Sequence, residues 1–67
     1  MTPNGDALRS IREARGLSLR RLADLIERTP GYLSRIERNL QPAGEETLRR
    51  CADVLNVPLG AITRETP

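Results

Sequence analysis

Tyr32, Ser34, Arg35 and Arg38 fall within one short run, TPGYLSRIERN (29–39), and their types suit recognition rather than bond-making. An arginine fork donates two parallel hydrogen bonds to a phosphate, or to the O6 and N7 atoms of guanine. All eleven basic residues of the chain are arginine and none is lysine. A genome rich in G and C produces the same bias, so it does not by itself point to nucleic acid. The net charge of +2 is equally uninformative. Catalytic constellations are missing: histidine is absent and cysteine occurs once, so neither a Cys/His zinc set nor a Ser/His/Asp triad can be assembled. The expectation is therefore no enzyme, no metal and no cofactor. Cys51 cannot form an intrachain disulfide. It sits in an apolar-periodic run, which makes it a reduced core thiol, with a redox role as the alternative.

The elements that must position the arginine run come from a chain of 67 residues, enough for one domain (1–67) with a small core. Apolar residues make up 37% and charged residues 30%, a balance that fits a compact helical domain better than a disordered tail. Tyr32 is the only aromatic, so Leu, Ile, Val and Ala must build the interior, which favours helices. No apolar run approaches transmembrane length and no signal peptide is present, so a cytoplasmic protein without a membrane partner is expected.

Residues 1–6 read as a frayed arm, with a helix cap at Asn4 or Asp6. A first helix follows to Arg15, with Leu8, Ile11 and Ala14 at helical spacing, and Gly16 ends it as a left-handed residue. Ser18 caps a second helix to about Ile26, with Leu22, Ala23 and Ile26 inward and Leu19 or Leu25 at the margin. Thr29 caps a third, and Pro30 takes its first position, where the missing N–H costs nothing. Asn39 to Gly44 is a loop. A fourth helix runs from about Glu45 to Leu55, its stripe formed by Leu48, Cys51, Ala52 and Leu55. Asn56 supplies a left-handed cap, Pro58 opens a short fifth helix with Leu59 and Ile62, and residues 63–67 form a loose tail. No strand pattern is visible. The expected fold is all-α, a compact bundle of five short helices.

Residues 18–38 have the parts of a helix-turn-helix. Ala23 is the small residue that lets two helices cross closely, Leu33 and Ile36 anchor the second helix, and Tyr32, Ser34, Arg35 and Arg38 lie on its outer faces. The same pattern also fits two helices of any small bundle with a solvated arginine face.

From Leu8 to Ile62 the chain resembles the xenobiotic-response-element family, the phage-repressor-like (Cro and C1 type) helix-turn-helix proteins. The matching segments are LRSIREARGLS, LADLI, GYLSRIERN and TLRRCADVLNVPLGAI, with YLSRIERN and ADVLNVPL the more specific. The resemblance implies a lambda-repressor-like domain that binds double-stranded DNA sequence-specifically, as a homodimer on a palindromic operator. Its base-reading positions hold Pro30, Gly31, Ser34 and Arg35, with Tyr32 beside them. Pro30 and Gly31 have no side chain to offer a base, so readout falls to Arg35, supported by Tyr32 and Ser34. Phosphate contacts are implied for Ser18, Arg20, Thr29, Arg38, Asn39 and Gln41, with Arg21 and Arg28 as extras. Arg12 and Glu37 occupy the positions of a structural ion pair. Leu59 and Ile62 on the fifth helix, with Val57 just before it as an addition, are the expected dimer contacts. One departure stands out: where the family has a glycine and then an apolar residue in the turn, this chain has Glu27 and Arg28.

The reading that follows is a small transcriptional regulator, such as a repressor, cytoplasmic and nucleoid-associated when bound. Two others stay open. One is an antitoxin-type module that binds a protein partner as well as DNA; the other is the DNA-binding domain of a longer regulator.

Overall fold

The structure, a computed structural model, describes residues 1–64. In chain order it has a short strand β1 (Thr2–Pro3), four helices and a second strand. The helices are α1 (Gly5–Ala14), α2 (Leu19–Leu25), α3 (Pro30–Glu37) and α4 (Glu45–Leu55). A single 3-10 turn (Leu59–Ile62) leads into β2 (Thr63–Arg64).

Three helices start on a side chain that accepts a hydrogen bond from an otherwise unpaired amide. Asn4 accepts from Ala7, Ser18 from Arg21 and Thr29 from Tyr32, at 3.2, 3.0 and 3.2 Å. α4 has Gly44 at its cap and no such bond; Glu45 and Glu46 in its first turn face the positive end of the helix dipole instead. All four helices stop in the same way. A left-handed residue follows each one, namely Gly16, Glu27, Asn39 and Asn56. The next amide then reaches back across the last turn: Leu17 to Arg12 O, Arg28 to Ala23 O, Leu40 to Arg35 O and Val57 to Ala52 O, at 2.9 to 3.1 Å.

Glu27 therefore accepts the left-handed strain (φ 58°) that its side chain makes unfavourable. Its carboxylate meets Arg50 of α4 at 2.9 Å, but the pair is too exposed to offset much of that cost. Glu27→Gly is expected to raise the unfolding free energy by up to about 1 kcal/mol, read as a higher denaturation midpoint at unchanged slope. A lower midpoint would show that the Arg50 contact outweighs the strain.

The fold corrects two expectations. The stretch after Pro58 is not a fifth helix but one 3-10 turn. Only four residues separate Pro58 from the strand-paired Thr63, Gly60 lies among them, and no side chain caps the turn. The supposedly frayed arm is in fact ordered. Thr2 pairs with Arg64 and Pro3 with Thr63 in an antiparallel ribbon, so the chain is mostly helical rather than wholly so. Residues 65–67 of the expected tail lie outside the described residues.

A single cluster of buried side chains joins the helices. Leu8, Leu22, Ala23, Ile26, Leu33, Ile36, Leu48, Cys51, Leu55 and Ile62 form it, together with Ala43 and Ala52. Along α1 the inward places go to Gly5, Leu8 and Arg12, while Ile11 is half-buried and Ala14 exposed. Burial pushes the Cys51 thiol up to about 11, helped by the nearby Glu37 charge, so the thiol is neutral near pH 7. Among the described residues no helix is long and apolar enough to cross a membrane.

Candidate nucleic-acid interface

α2 and α3 pack on each other, and α1 packs across α3. Ala23 is fully buried at this junction, and Leu33 and Ile36 are fully buried on the inner side of α3. The opposite side of α3 is open: Gly31, Arg35 and Arg38 are exposed, and Tyr32 and Ser34 are half-buried. Tyr32 leans on the core cluster, so only part of its ring faces outward.

α3 is held by a buried ion pair. Arg12 Nε donates to Glu37 Oε2 at 2.7 Å and Arg12 Nη2 to Glu37 Oε1 at 3.1 Å. The third group of the fork, Nη1, donates to Leu17 O at 2.8 Å, just beyond the left-handed Gly16. Hydrogen bonding to Glu37 raises the Arg12 pKa above its ordinary value despite the opposing effect of burial, and the charges of Glu37 and Glu13 add to it. Glu37 is thereby spent on the scaffold and offers nothing outward.

The polar residues singled out for phosphate contact share one feature. Ser18 Oγ and Thr29 Oγ1 accept cap hydrogen bonds, Asn39 Oδ1 accepts from Gly5 N at 3.0 Å, and Gln41 Oε1 accepts from Arg35 Nε at 2.6 Å. Their acceptors are used. Their hydroxyl or amide donors make no bond among the described residues, and a phosphate oxygen needs a donor. Arg20 and Arg38 are exposed cations at the start of α2 and the end of α3. Arg21 is likewise exposed. Arg28, in contrast, is drawn to α4, with Nη2 on Thr47 Oγ1 at 3.3 Å.

Of the three residues expected at a dimer interface, Ile62 is corrected. It is fully buried in the core of its own chain, because the 3-10 turn directs it inward beneath α1 and α4. Val57 and Leu59 remain half-buried at the edge of that cluster.

Sequence reasoning missed three contacts that shape this region. Gly5 is buried against the last turn of α3, although it reads as part of an arm. Arg15 Nε donates to Leu55 O at 2.9 Å and so closes the end of α4. Gln41 reaches back to Arg35 across six residues. A glycine in a capped first turn is a usable signal for the first. The other two have no periodic signature.

The family model described as helix-turn-helix (HTH_3) matches residues 8–62. The transcriptional regulator ClgR of Mycobacterium tuberculosis is 36% identical over 58 residues, which cover 87% of this chain and 52% of that protein. The chain thus spans about half the length of the curated relatives it matches. Among solved structures, the clp gene regulator ClgR from Corynebacterium glutamicum superposes with a TM-score of 0.81 at 38% identity, over 84% of this chain and 60% of that one. SinR, a master regulator for biofilm formation solved in complex with DNA, superposes with a TM-score of 0.78 at 35% identity, over 84% of this chain and 90% of that one. With its capped α2–α3 pair, open α3 face and a family match over most of its length, this chain belongs to the helix-turn-helix family of the Cro/C1, xenobiotic-response-element type.

Proposed function

We propose that residues 1–67 form a single DNA-binding domain that recognises double-stranded DNA sequence-specifically and regulates transcription, with α3 in the major groove. The observation that carries this reading is the α3 face itself, with Arg35 and Arg38 exposed on a helix whose other side is locked by the core and by Arg12–Glu37. Likeness to SinR, whose structure was solved with DNA, supports the same reading. Arg35 reads a guanine, with Tyr32 and Ser34 in support. Ser18, Arg20, Thr29, Arg38, Asn39 and Gln41 hold phosphates on either side through the unused donors described above.

Two copies bind a palindromic operator as a homodimer, and Val57 and Leu59 supply the apolar contact. Their α3 helices would lie about 34 Å apart, one turn of DNA. Repression is the expected sense of regulation. The protein acts in the cytoplasm, associated with the nucleoid when bound, and performs no catalysis of its own. The half-length match to curated relatives favours one further reading, that this domain serves as the DNA-binding part of a longer regulator.

Selection of bound duplexes from a random pool, at two salt concentrations, tests the proposal. The expected result is a two-fold-symmetric site whose affinity falls steeply with salt, the slope giving the number of phosphates held. Recovery of unenriched sequence would refute specific binding. Arg35→Ala is expected to weaken binding to the selected site by roughly 5- to 100-fold and to relax preference at one base pair per half-site. A uniform loss on all duplexes would make Arg35 a phosphate contact instead.

A further inference from the structure

Arg35 is the side chain on which base readout rests, and it is not free in the unbound protein. α3 ends in a left-handed Asn39, and Leu40 N donates to Arg35 O at 2.9 Å, so the chain folds back along the helix it has just left. Asn39 Oδ1 accepts from Gly5 N and ties this reversal to α1, while Ala43, two residues past Gln41, is buried in the core. Gln41 is therefore carried on a loop fastened at both ends, and its Oε1 receives Arg35 Nε at 2.6 Å. On the other side, the Arg35 guanidinium lies over Gly31, four residues earlier. A Cβ built there would come to 3.5 Å from Arg35 Nη1. That is ordinary van der Waals distance, so the first turn of α3 backs the guanidinium without crowding it.

We propose that Gln41 is a positioning residue for base readout: its side-chain carbonyl holds the Nε edge of Arg35 and turns the Nη1/Nη2 edge toward the guanine. The inference rests on the reading of Arg35 as the guanine contact. A guanidinium can address guanine through its Nε/Nη side or through its Nη1/Nη2 end. With Nε occupied, only the end-on fork remains. Holding the fork in place before binding lowers the side-chain freedom lost when the complex forms. The Gln41 amide nitrogen stays available for a phosphate, so one side chain would couple backbone position to base reading.

The test uses the whole chain and the duplex it selects from a random pool, beside the same duplex altered at the base pair that Arg35→Ala relaxes. Affinities are measured for the unsubstituted protein, Q41A, R35A and the double variant. Q41M, which keeps the length and loses the carbonyl, guards against an effect of the loop alone. Both Gln41 variants should lose threefold or more on the selected duplex, less on the altered one, and less again once Arg35 is gone, where only the phosphate contact remains to be lost. In the free protein, the Arg35 Nε–H resonance should exchange slowly with water and become fast in Q41A and Q41M. Equal losses on both duplexes and in both Arg35 backgrounds would overturn the proposal and leave Gln41 a phosphate contact. No loss at all, or unchanged Nε–H exchange, would overturn it as well. If R35A weakens every duplex alike, the parent reading fails instead, a result distinct from additive behaviour of Gln41.

Discussion

Gly5→Ala should cost this protein about 3 kcal/mol or more of stability, and with it the geometry of α3. A Cβ at position 5 would come within 2.5 Å of Ile36 O and 2.7 Å of Glu37 C, and closer still to Glu37 O. These are backbone atoms in the last turn of a helix, so no rotamer change can make room. Overpacking of a well-ordered site costs about 1–3 kcal/mol, and more where only backbone can yield. The substitution also pushes Gly5 N away from Asn39 Oδ1, which it meets at 3.0 Å. In a domain of this size each kcal/mol moves the thermal midpoint by about 4–8 °C, so a fall of more than about 12 °C is expected by circular dichroism. A change under about 4 °C would mean that α1 can slide off α3 at little cost. The close approach is favourable in the native chain, because the positive end of α1 faces the carbonyl end of α3.

Glu37→Gln is the second large effect, and it isolates charge from packing. The two side chains of the Arg12–Glu37 pair are 10% and 5% exposed, so water does not screen them. Removing one charge leaves a buried guanidinium without its counterion, at a cost of about 3–5 kcal/mol. The amide can still accept from one Arg12 nitrogen, which places the expected loss near the lower end, about 3 kcal/mol. The double substitution Arg12→Met with Glu37→Leu should recover most of that loss, because the cost of burying ions disappears with both of them. The decisive comparison is between denaturation midpoints of the single and double variants. A double variant no more stable than Glu37→Gln would show that the pair contributes through its hydrogen bonds, including the one to Leu17 O at 2.8 Å. DNA binding gives a second readout. Glu37 ties α3, the helix that carries Arg35 and Arg38, to α1, so a loosened pair should lower specific affinity before the fold is lost.

Much of the scaffold was legible in the chain because its signals are local. Ser18, Thr29 and Asn4 cap the helices that follow them, and Gly16 and Asn56 terminate α1 and α4 in left-handed conformation. Leu22, Ala23, Ile26, Leu33, Ile36, Leu48, Cys51, Ala52 and Leu55 recur at helical spacing and are all buried. Periodicity and capping are properties of a few consecutive residues, so they need no knowledge of the rest. The resemblance adds what spacing cannot, the role proposed for the α3 face and the partnership of Arg12 with Glu37, two residues 25 positions apart.

What the tertiary structure decided lies where distant segments meet. Two-residue strands have no periodicity, so the pairing of Thr2–Pro3 with Thr63–Arg64 exists only because the helices bring both ends of the described chain together. The same packing turns Ile62 into the core, away from the interface expected of it, and makes a 3-10 turn of the short run after Pro58. Glu27 shows the converse case. Its local preference opposes the left-handed turn, and the α2–α3 junction imposes that turn regardless. Arg35 could be singled out from sequence as the proposed reader, since that reading uses only its type and its place on α3. That Gln41 grips it depends on a loop turned by Asn39, a geometry that no window of the sequence contains.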